Sequence, residues 1–258
     1  MNNDFVFDPS RSADDVSRIK TLNIDPQAGL IKTWSYSSLT MYESCPYKVF
    51  LRYVKKIELD TPPPAKRGQE VHDSCEKFVT GESNELHAVA SKHFLKKIME
   101  LREKYKEGII QVEEPWAFDR VWGRTDWNAT TTWAKMILDV FEYQEGETCA
   151  KLRDYKTGKK DGNELKHGDQ SLIYAAAVMK RYPQVQYVES EFWYLDVNEV
   201  LKKSYTRQYI EMFMPKIEAR ATALTSANEF HPKPSKFKCT YCDYAKINAC
   251  PWAETNNI

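Results

Sequence analysis

Asp139, Asp154 and Lys156 are the residues whose types and spacing carry the most chemistry. Asp139 sits in Met136-Ile137-Leu138-Asp139-Val140-Phe141. A carboxylate amid so many apolar neighbours is costly to bury unless something binds it. Asp154 and Lys156 stand two apart in Leu152-Arg153-Asp154-Tyr155-Lys156-Thr157-Gly158, so in a strand they project from one face. Two carboxylates beside an ammonium suit a hard divalent cation, Mg²⁺ or Mn²⁺. Such a cation can polarise a phosphodiester, lower the pKa of an attacking water and stabilise the leaving oxygen. Lys156 would orient or deprotonate that water, or offset charge on the phosphorus. The residues alone leave one alternative open, a charged hairpin with a surface Asp–Lys pair.

A hairpin must position these groups. Residues 133–143 and 148–156 read as its strands, with Gln144-Glu145-Gly146-Glu147 as the turn. Further strands are expected over 109–118, 184–195 and 199–205. Ser37 or Ser38 can cap a first helix, along which Leu39, Tyr42, Cys45, Val49, Phe50 and Tyr53 recur at helical spacing. Thr61-Pro62-Pro63-Pro64 ends it. Helices are also expected over 65–79, 84–106 (with Leu95, Ile98 and Leu101 in the core), 168–181 and 206–226. Residues 1–33 read as a flexible polar arm, 34–108 as a helical region, 109–230 as the core and 231–258 as a cysteine tail.

Hydrophobic residues make up 42% of the chain and aromatics 13%, which excludes a disordered polymer. No apolar run approaches the roughly 18 residues a bilayer span needs, and the N-terminus lacks the regions of a signal peptide. The expectation is a cytoplasmic protein, in the host cytoplasm if viral. The 37 basic and 37 acidic residues cancel. That argues against a nonspecific DNA coat and is compatible with an acidic metal site inside a basic rim. Lys66, Arg67, Lys156, Lys159, Lys160, Lys166 and Lys236 could hold phosphates, and Tyr36, Tyr47 and Trp252 could stack bases.

Cys239, Cys242 and Cys250 crowd the last twenty residues. Cys239 and Cys242 form a C-x2-C pair, which lets two thiolates reach one metal. Spacing alone permits Zn²⁺. A free thiol on an apolar stripe is the other reading of Cys45, and Cys75 and Cys149 find no partner in the pattern.

Asp139, then Asp154-Tyr155-Lys156-Thr157-Gly158, then Gln170 and Tyr174 together resemble the PD-(D/E)XK nucleases. Within them the chain is most similar to the RecB-type branch, which includes CRISPR adaptation nucleases and phage recombination exonucleases. The resemblance spans 34–252. It implies an α/β, restriction-endonuclease-like core over 109–230, a central mixed β-sheet flanked by helices. The N-terminal helical part and the cysteine segment should close on each other. It implies a Mg²⁺- or Mn²⁺-dependent exonuclease on single-stranded DNA or DNA ends, with Asp139, Asp154 and Lys156 catalytic. His72, following Arg67-Gly68, joins Asp139, Asp154 and Tyr155 as a metal ligand. Gln170 lies near the lysine or a DNA phosphate, Tyr174 along the DNA path, and Arg67 on DNA. Cys45, Cys239, Cys242 and Cys250 would hold a structural [4Fe–4S] cluster. The family often has a further acid before the first aspartate. Glu113 or Glu114 could fill that place, but both are read as surface acids. One departure from the family's G-x-x-D pattern is Met136 where glycine is common. Gly123-Arg124-Thr125-Asp126 has the pattern but lies too far upstream for a tight hairpin, so Asp139 is kept. No G-x4-G-K-[ST] motif occurs, so unwinding would need a helicase or recombination partner. A catalytically idle DNA- or protein-binding subunit is the competing reading.

Overall fold

Serine and proline punctuate the N-terminal helices of the computed structural model, which describes residues 29–254. α1 (Tyr36–Ser44) is capped by Ser35, whose side chain and that of Ser38 exchange bonds with each other's backbone N–H. It stops at Cys45, which is extended (φ −160°, ψ 105°) because Pro46 disfavours helical backbone in the residue before it. The chain restarts as α2 (Pro46–Val49) and a π-helical turn (Phe50–Val54). The single helix expected from 37 to the prolines is therefore broken, and Cys45 stands at the corner. α3 (Pro63–Thr80) begins on proline and ends at Gly81, whose φ of 86° suits only glycine well. α4 (Ala88–Lys106) is capped by His87 Nδ1, which accepts from the Val89 N–H at 3.2 Å. It buries Ala90, Phe94, Ile98 and Leu101 and leaves Leu95 exposed. Ile98 and Leu101 fill their expected core positions. Leu95 does not, because the i, i+4 stripe that contains them runs through Phe94.

The sheet follows. β1 (Ile110–Phe118), the two-residue β2 (Arg124–Thr125), β3 (Ala134–Glu142) and β4 (Cys149–Lys156) pair antiparallel with their neighbours. α5 (Glu164–Arg181) then crosses over to β5 (Tyr187–Tyr194), which lies parallel to β4. Parallel neighbours need such a long connection. β6 (Glu199–Thr206) pairs antiparallel with β5 and completes the order β2-β1-β3-β4-β5-β6. α6 (Arg207–Thr225) and the short α7 (Lys236–Thr240) and α8 (Asp243–Lys246) follow. This is the mixed sheet flanked by helices, the restriction-endonuclease-like α/β fold, that the resemblance implies.

Two cores hold the layers together. α3 and α4 pack Val71, Cys75, Phe94 and Ile98 against Val140, Tyr155 and Trp193. The larger core joins α1, α5 and α6 to Trp116, Met136, Leu138 and Leu152. Arg220 on α6 forks to Glu43 in α1 and Asp169 in α5 at 2.6 to 3.0 Å, tying three helices. Most of the expected arm, 1–33, lies outside the described residues. Residues 29–33 are packed, however. The Leu30 N–H donates to the Ala227 carbonyl, Ile31 is buried, and a Cβ on Gly29 would lie 2.1 Å from the Thr225 carbonyl oxygen. Ordered packing therefore begins before Trp34. No described helix is long and apolar enough to cross a membrane.

One irregularity of the sheet matters most. β3 pairs with β1 along almost its whole length, but with β4 only at Val140–Arg153, Phe141–Leu152 and Glu142–Lys151. Beyond Val140 the two strands part. β4 continues along β5 alone, and the free half of β3 is met by Trp34, which bridges Ala134.

Candidate functional site

Asp139 and Asp154 are the first residues past the last β3–β4 pair, so they face each other where the strands separate. On the other side of Asp139 the β1–β3 register skips Glu113, between Val112–Val140 and Glu114–Leu138. Glu113 has φ of 49°, uncommon for a residue with a side chain. Across the three strands, Glu113, Asp139 and Asp154 form a row of carboxylates. Membership of the two cores shifts here too. Met136, Leu138 and Phe141 belong to the larger core and Val140 to the smaller. The two-residue alternation thus slips by one around Asp139, and because β1 slips with it at Glu113 the pairing register is the same on both sides.

His72 reaches this row from α3. Its Nε2 lies 2.8 Å from the Tyr155 carbonyl, which can only accept, so Nε2 carries a hydrogen. Nδ1 is left facing Asp139 Oδ2 at 3.3 Å and Glu113 Oε1 at 3.6 Å. One ligand atom from each of His72, Glu113 and Asp139 lies within 4.8 Å of the others, a spacing that can hold a metal ion. Asp139 Oδ2 also accepts from the Tyr155 N–H at 2.7 Å, replacing the ladder bond the parted strands cannot make. Burial opposes a charge on His72, but Asp139, Glu113 and Asp154 outweigh it and lift the imidazole to about 9. Burial and repulsion from Asp154 push the Asp139 carboxyl up to about 7, against the pull of His72 and Lys156. A cation would relieve both strains, displacing the His72 proton and neutralising the acids.

Asp154 is held from two sides. Lys156 pairs with its Oδ2 and Gln170 on α5 donates to its Oδ1 at 3.0 Å. Tyr174, one turn along, bonds Gln170, and burial raises its hydroxyl pKa. The structure therefore brings Asp139, Asp154, Lys156, His72, Gln170 and Tyr174 together, with the Tyr155 backbone at the centre. The Tyr155 ring points into the smaller core. Arg67 stands apart. Its guanidinium forks onto Asp196 at 2.5 and 3.0 Å, and Asp196 also accepts from the Gly158 N–H. It braces the turn after β4. Asp126 lies in the loop after β2, outside the metal-spaced group. Glu113, read as a surface acid from sequence, belongs to that group. Its identity depends on a backbone distortion, and no spacing rule reports one.

Beside the row, the gap between β3 and β4 opens into a cleft of about 730 Å³ that includes Lys156, Gln170 and Tyr174 in its walls.

The four cysteines of the expected frame meet elsewhere. Cys45, Cys239, Cys242 and Cys250 line one small cavity of about 60 Å³ between the α1–α2 corner and the tail. Burial and the neighbouring sulfurs push the Cys250 thiol up to about 11. The Lys233 N–H donates to Cys45 Sγ at 3.5 Å, and Lys233 and Lys238 ammoniums cap the Glu43 and Ser44 carbonyls at the end of α1. No three of these sulfurs lie within 4.8 Å of one another. A single tetrahedral zinc, with Zn–S of about 2.3 Å, would need them closer than that. Four thiols lining one cavity are still a donor set that either a tetrahedral Zn²⁺ or a [4Fe–4S] cluster could use.

Fold and site together define a nuclease-type centre with a place for a divalent cation. A model of the PD-(D/E)XK nuclease superfamily matches residues 33–251, and the chain belongs to that superfamily. No curated protein matches it. Among solved structures it is similar to SSO0001, with 14% identity, 92% of each chain covered and a TM-score of 0.46. It is also similar to a Eubacterium rectale protein provisionally named an exonuclease, with 14% identity, 84% of this chain and 88% of that one covered, and the same TM-score.

Proposed function

We propose that this protein is a divalent-metal-dependent deoxyribonuclease acting on single-stranded DNA or DNA ends. The observation that carries the reading is the convergence of three carboxylates, one imidazole and one ammonium where β3 and β4 part. A bound cation supplies Lewis-acid activation of the phosphodiester and a more acidic attacking water. His72, Glu113 and Asp139 offer its ligands, with Asp154 beside them, while the Tyr155 carbonyl accepts from His72 Nε2. A nitrogen donor among the oxygens favours Mn²⁺ over Mg²⁺, which prefers oxygen throughout. Lys156 orients the water or offsets charge on the phosphorus. Gln170 keeps Asp154 aimed at the row.

Exonuclease action in recombination, repair or phage or CRISPR DNA processing is the form of this activity that the RecB-type resemblance supports. A helicase or recombination protein would supply unwinding, and the substrate would be DNA in the cytoplasm of the cell or host. For the cysteine cavity we favour a structural [4Fe–4S] cluster over Zn²⁺. An idle subunit is disfavoured by the intact Asp139, Asp154 and Lys156. The test is hydrolysis of labelled single-stranded, linear duplex and closed circular DNA with Mn²⁺ or Mg²⁺. Wild type should degrade strands with ends, and Asp154→Ala should lose about a thousandfold or more in rate. Wild type and Asp154→Ala equally inert on every substrate and metal would sink the reading.

A further inference from the structure

Resting on that nuclease reading, we propose that the cleft between β3 and β4 is a single-strand subsite in which Trp127 stacks on a base while Lys135 and Lys166 hold phosphates. The chain as a whole is electrically balanced, but this cleft is not. Its lining contains Lys135, Lys156 and Lys166 and no carboxylate. Lys156 is engaged by Asp154. Lys135 and Lys166 have no carboxylate partner among the described residues. Two ammoniums without a carboxylate partner in a walled cleft attract a polyanion.

The rest of the lining has the chemistry of an unpaired strand. Trp127, half-buried in the loop after β2, has the Lys135 ammonium 4.8 Å from its ring centre. Tyr53, 38% exposed, lines the same cleft. Aromatic faces stack any base once it is freed from its partner, and a basic groove follows the backbone. The N-terminal end of α1 and its cap add the hydroxyls of Ser35, Ser37 and Thr40 and the positive end of a helix dipole. The cleft also sits correctly for the reaction. It begins at Lys156 and Gln170, both bound to Asp154, and extends along the free half of β3 past Ile137 and Met136. The cleft lies where two strands of one sheet part and is lined on one side by the start of α1, and on this proposal it takes a single strand in preference to a duplex.

The experiment measures binding of a labelled oligothymidylate and of a matched blunt duplex by fluorescence anisotropy in EDTA, where no hydrolysis occurs. Folding of each variant is checked by circular dichroism. Trp127→Ala should weaken single-strand binding about 5- to 100-fold, with Trp127→Phe recovering most of it. Lys135→Gln, which removes a surface charge without opening the core, should reduce the slope of log K against log salt by about 0.7. Duplex binding should change far less in both. Variants that bind the oligonucleotide like wild type, or lose duplex affinity to the same extent, would overturn the subsite. Wild type that needs Trp127 to bind but hydrolyses nothing with Mn²⁺ would support the subsite and remove the nuclease reading instead. The two failures are therefore distinguishable.

Discussion

Glu113 and Glu114 are adjacent and chemically alike, and only the backbone separates them. Glu114 sits in register with Leu138. Glu113 takes a φ of 49° and drops out of the ladder opposite Asp139, within reach of His72. Non-glycine residues hold such conformations where the surrounding structure imposes them, often at functional sites. If Glu113 holds the cation, Glu113→Gln should lower Mn²⁺ affinity at least about 10- to 100-fold by isothermal titration, since even residues one bond removed from a metal have effects of that size. Glu114→Gln should leave affinity unchanged. Equal affinities for the two variants would return Glu113 to the surface acids. Sequence could not make this distinction. Asp154 and Lys156 were legible because a spacing of two fixes a shared face in any strand. Asp139 was legible because a carboxylate in an apolar run needs a reason. The role of Glu113 depends on one dihedral angle, and both glutamates look the same without it. Arg67 is the contrasting case: a cation beside a nuclease motif suggests DNA, and in the structure its guanidinium is paired with Asp196.

At the scale of elements, α5 does two jobs at once. It connects β4 to β5, and its inner face aims Gln170 at Asp154. The expected helix was right in place but began too late, at 168 instead of Glu164. The extra turn brings in His167, which is buried, lies over the Phe192 ring and has its Nδ1 2.6 Å from the Tyr194 hydroxyl. Burial, helped by Lys156, holds this imidazole down at about 4. The unfolded chain takes up that proton near its ordinary value of about 6.5. Above that pH neither state is protonated and His167 costs nothing. As pH falls from about 6.5 toward 4 the unfolded state alone gains the proton, so stability falls by up to about 1.4 kcal/mol per pH unit, then levels off. The raised carboxyl of Asp139 acts with the opposite sign over much of the same window, so wild type by itself is uninformative. The difference between wild type and His167→Gln isolates the term. Urea melts from pH 7 to 4 should show His167→Gln losing less stability on acidification. Parallel curves would mean that His167 is protonated in the folded protein. The broken helix at Cys45-Pro46 shows what periodicity misses. The apolar stripe runs on through it, and only the restriction that proline places on its neighbour marks the corner.

Over the whole molecule, the two sites are connected through one helix. α1 lines the cleft with its first turn and presents its last carbonyls and Cys45 to the tail. Residues separated by almost the full length of the chain therefore meet at one end of α1, while the strand-binding wall lies at the other. The resemblance implies that Cys45 and the tail cysteines form a set, and the four do line one cavity. The sequence does not show that the helix between them and the cleft is shared, because that depends on how α1 lies against α6 and the free half of β3. A cluster bound at the four cysteines would fix the closure, since metal binding to a site formed only on folding adds directly to stability. Replacing one ligand should then have two effects. Cys45→Ser, purified anaerobically, should lose iron and its absorbance near the visible edge, and melt on the order of 10 °C lower, the shift a loss of a few kcal/mol produces in a domain of this size. It should also bind oligothymidylate more weakly, because α1 is no longer anchored. Mn²⁺ affinity at His72, Glu113 and Asp139 should be retained, since those ligands come from α3, β1 and β3 and none from α1. Iron-free wild type with one zinc per chain would remove the cluster. Mn²⁺ affinity falling in step with oligonucleotide binding would show that the tail supports the whole sheet and not α1 in particular.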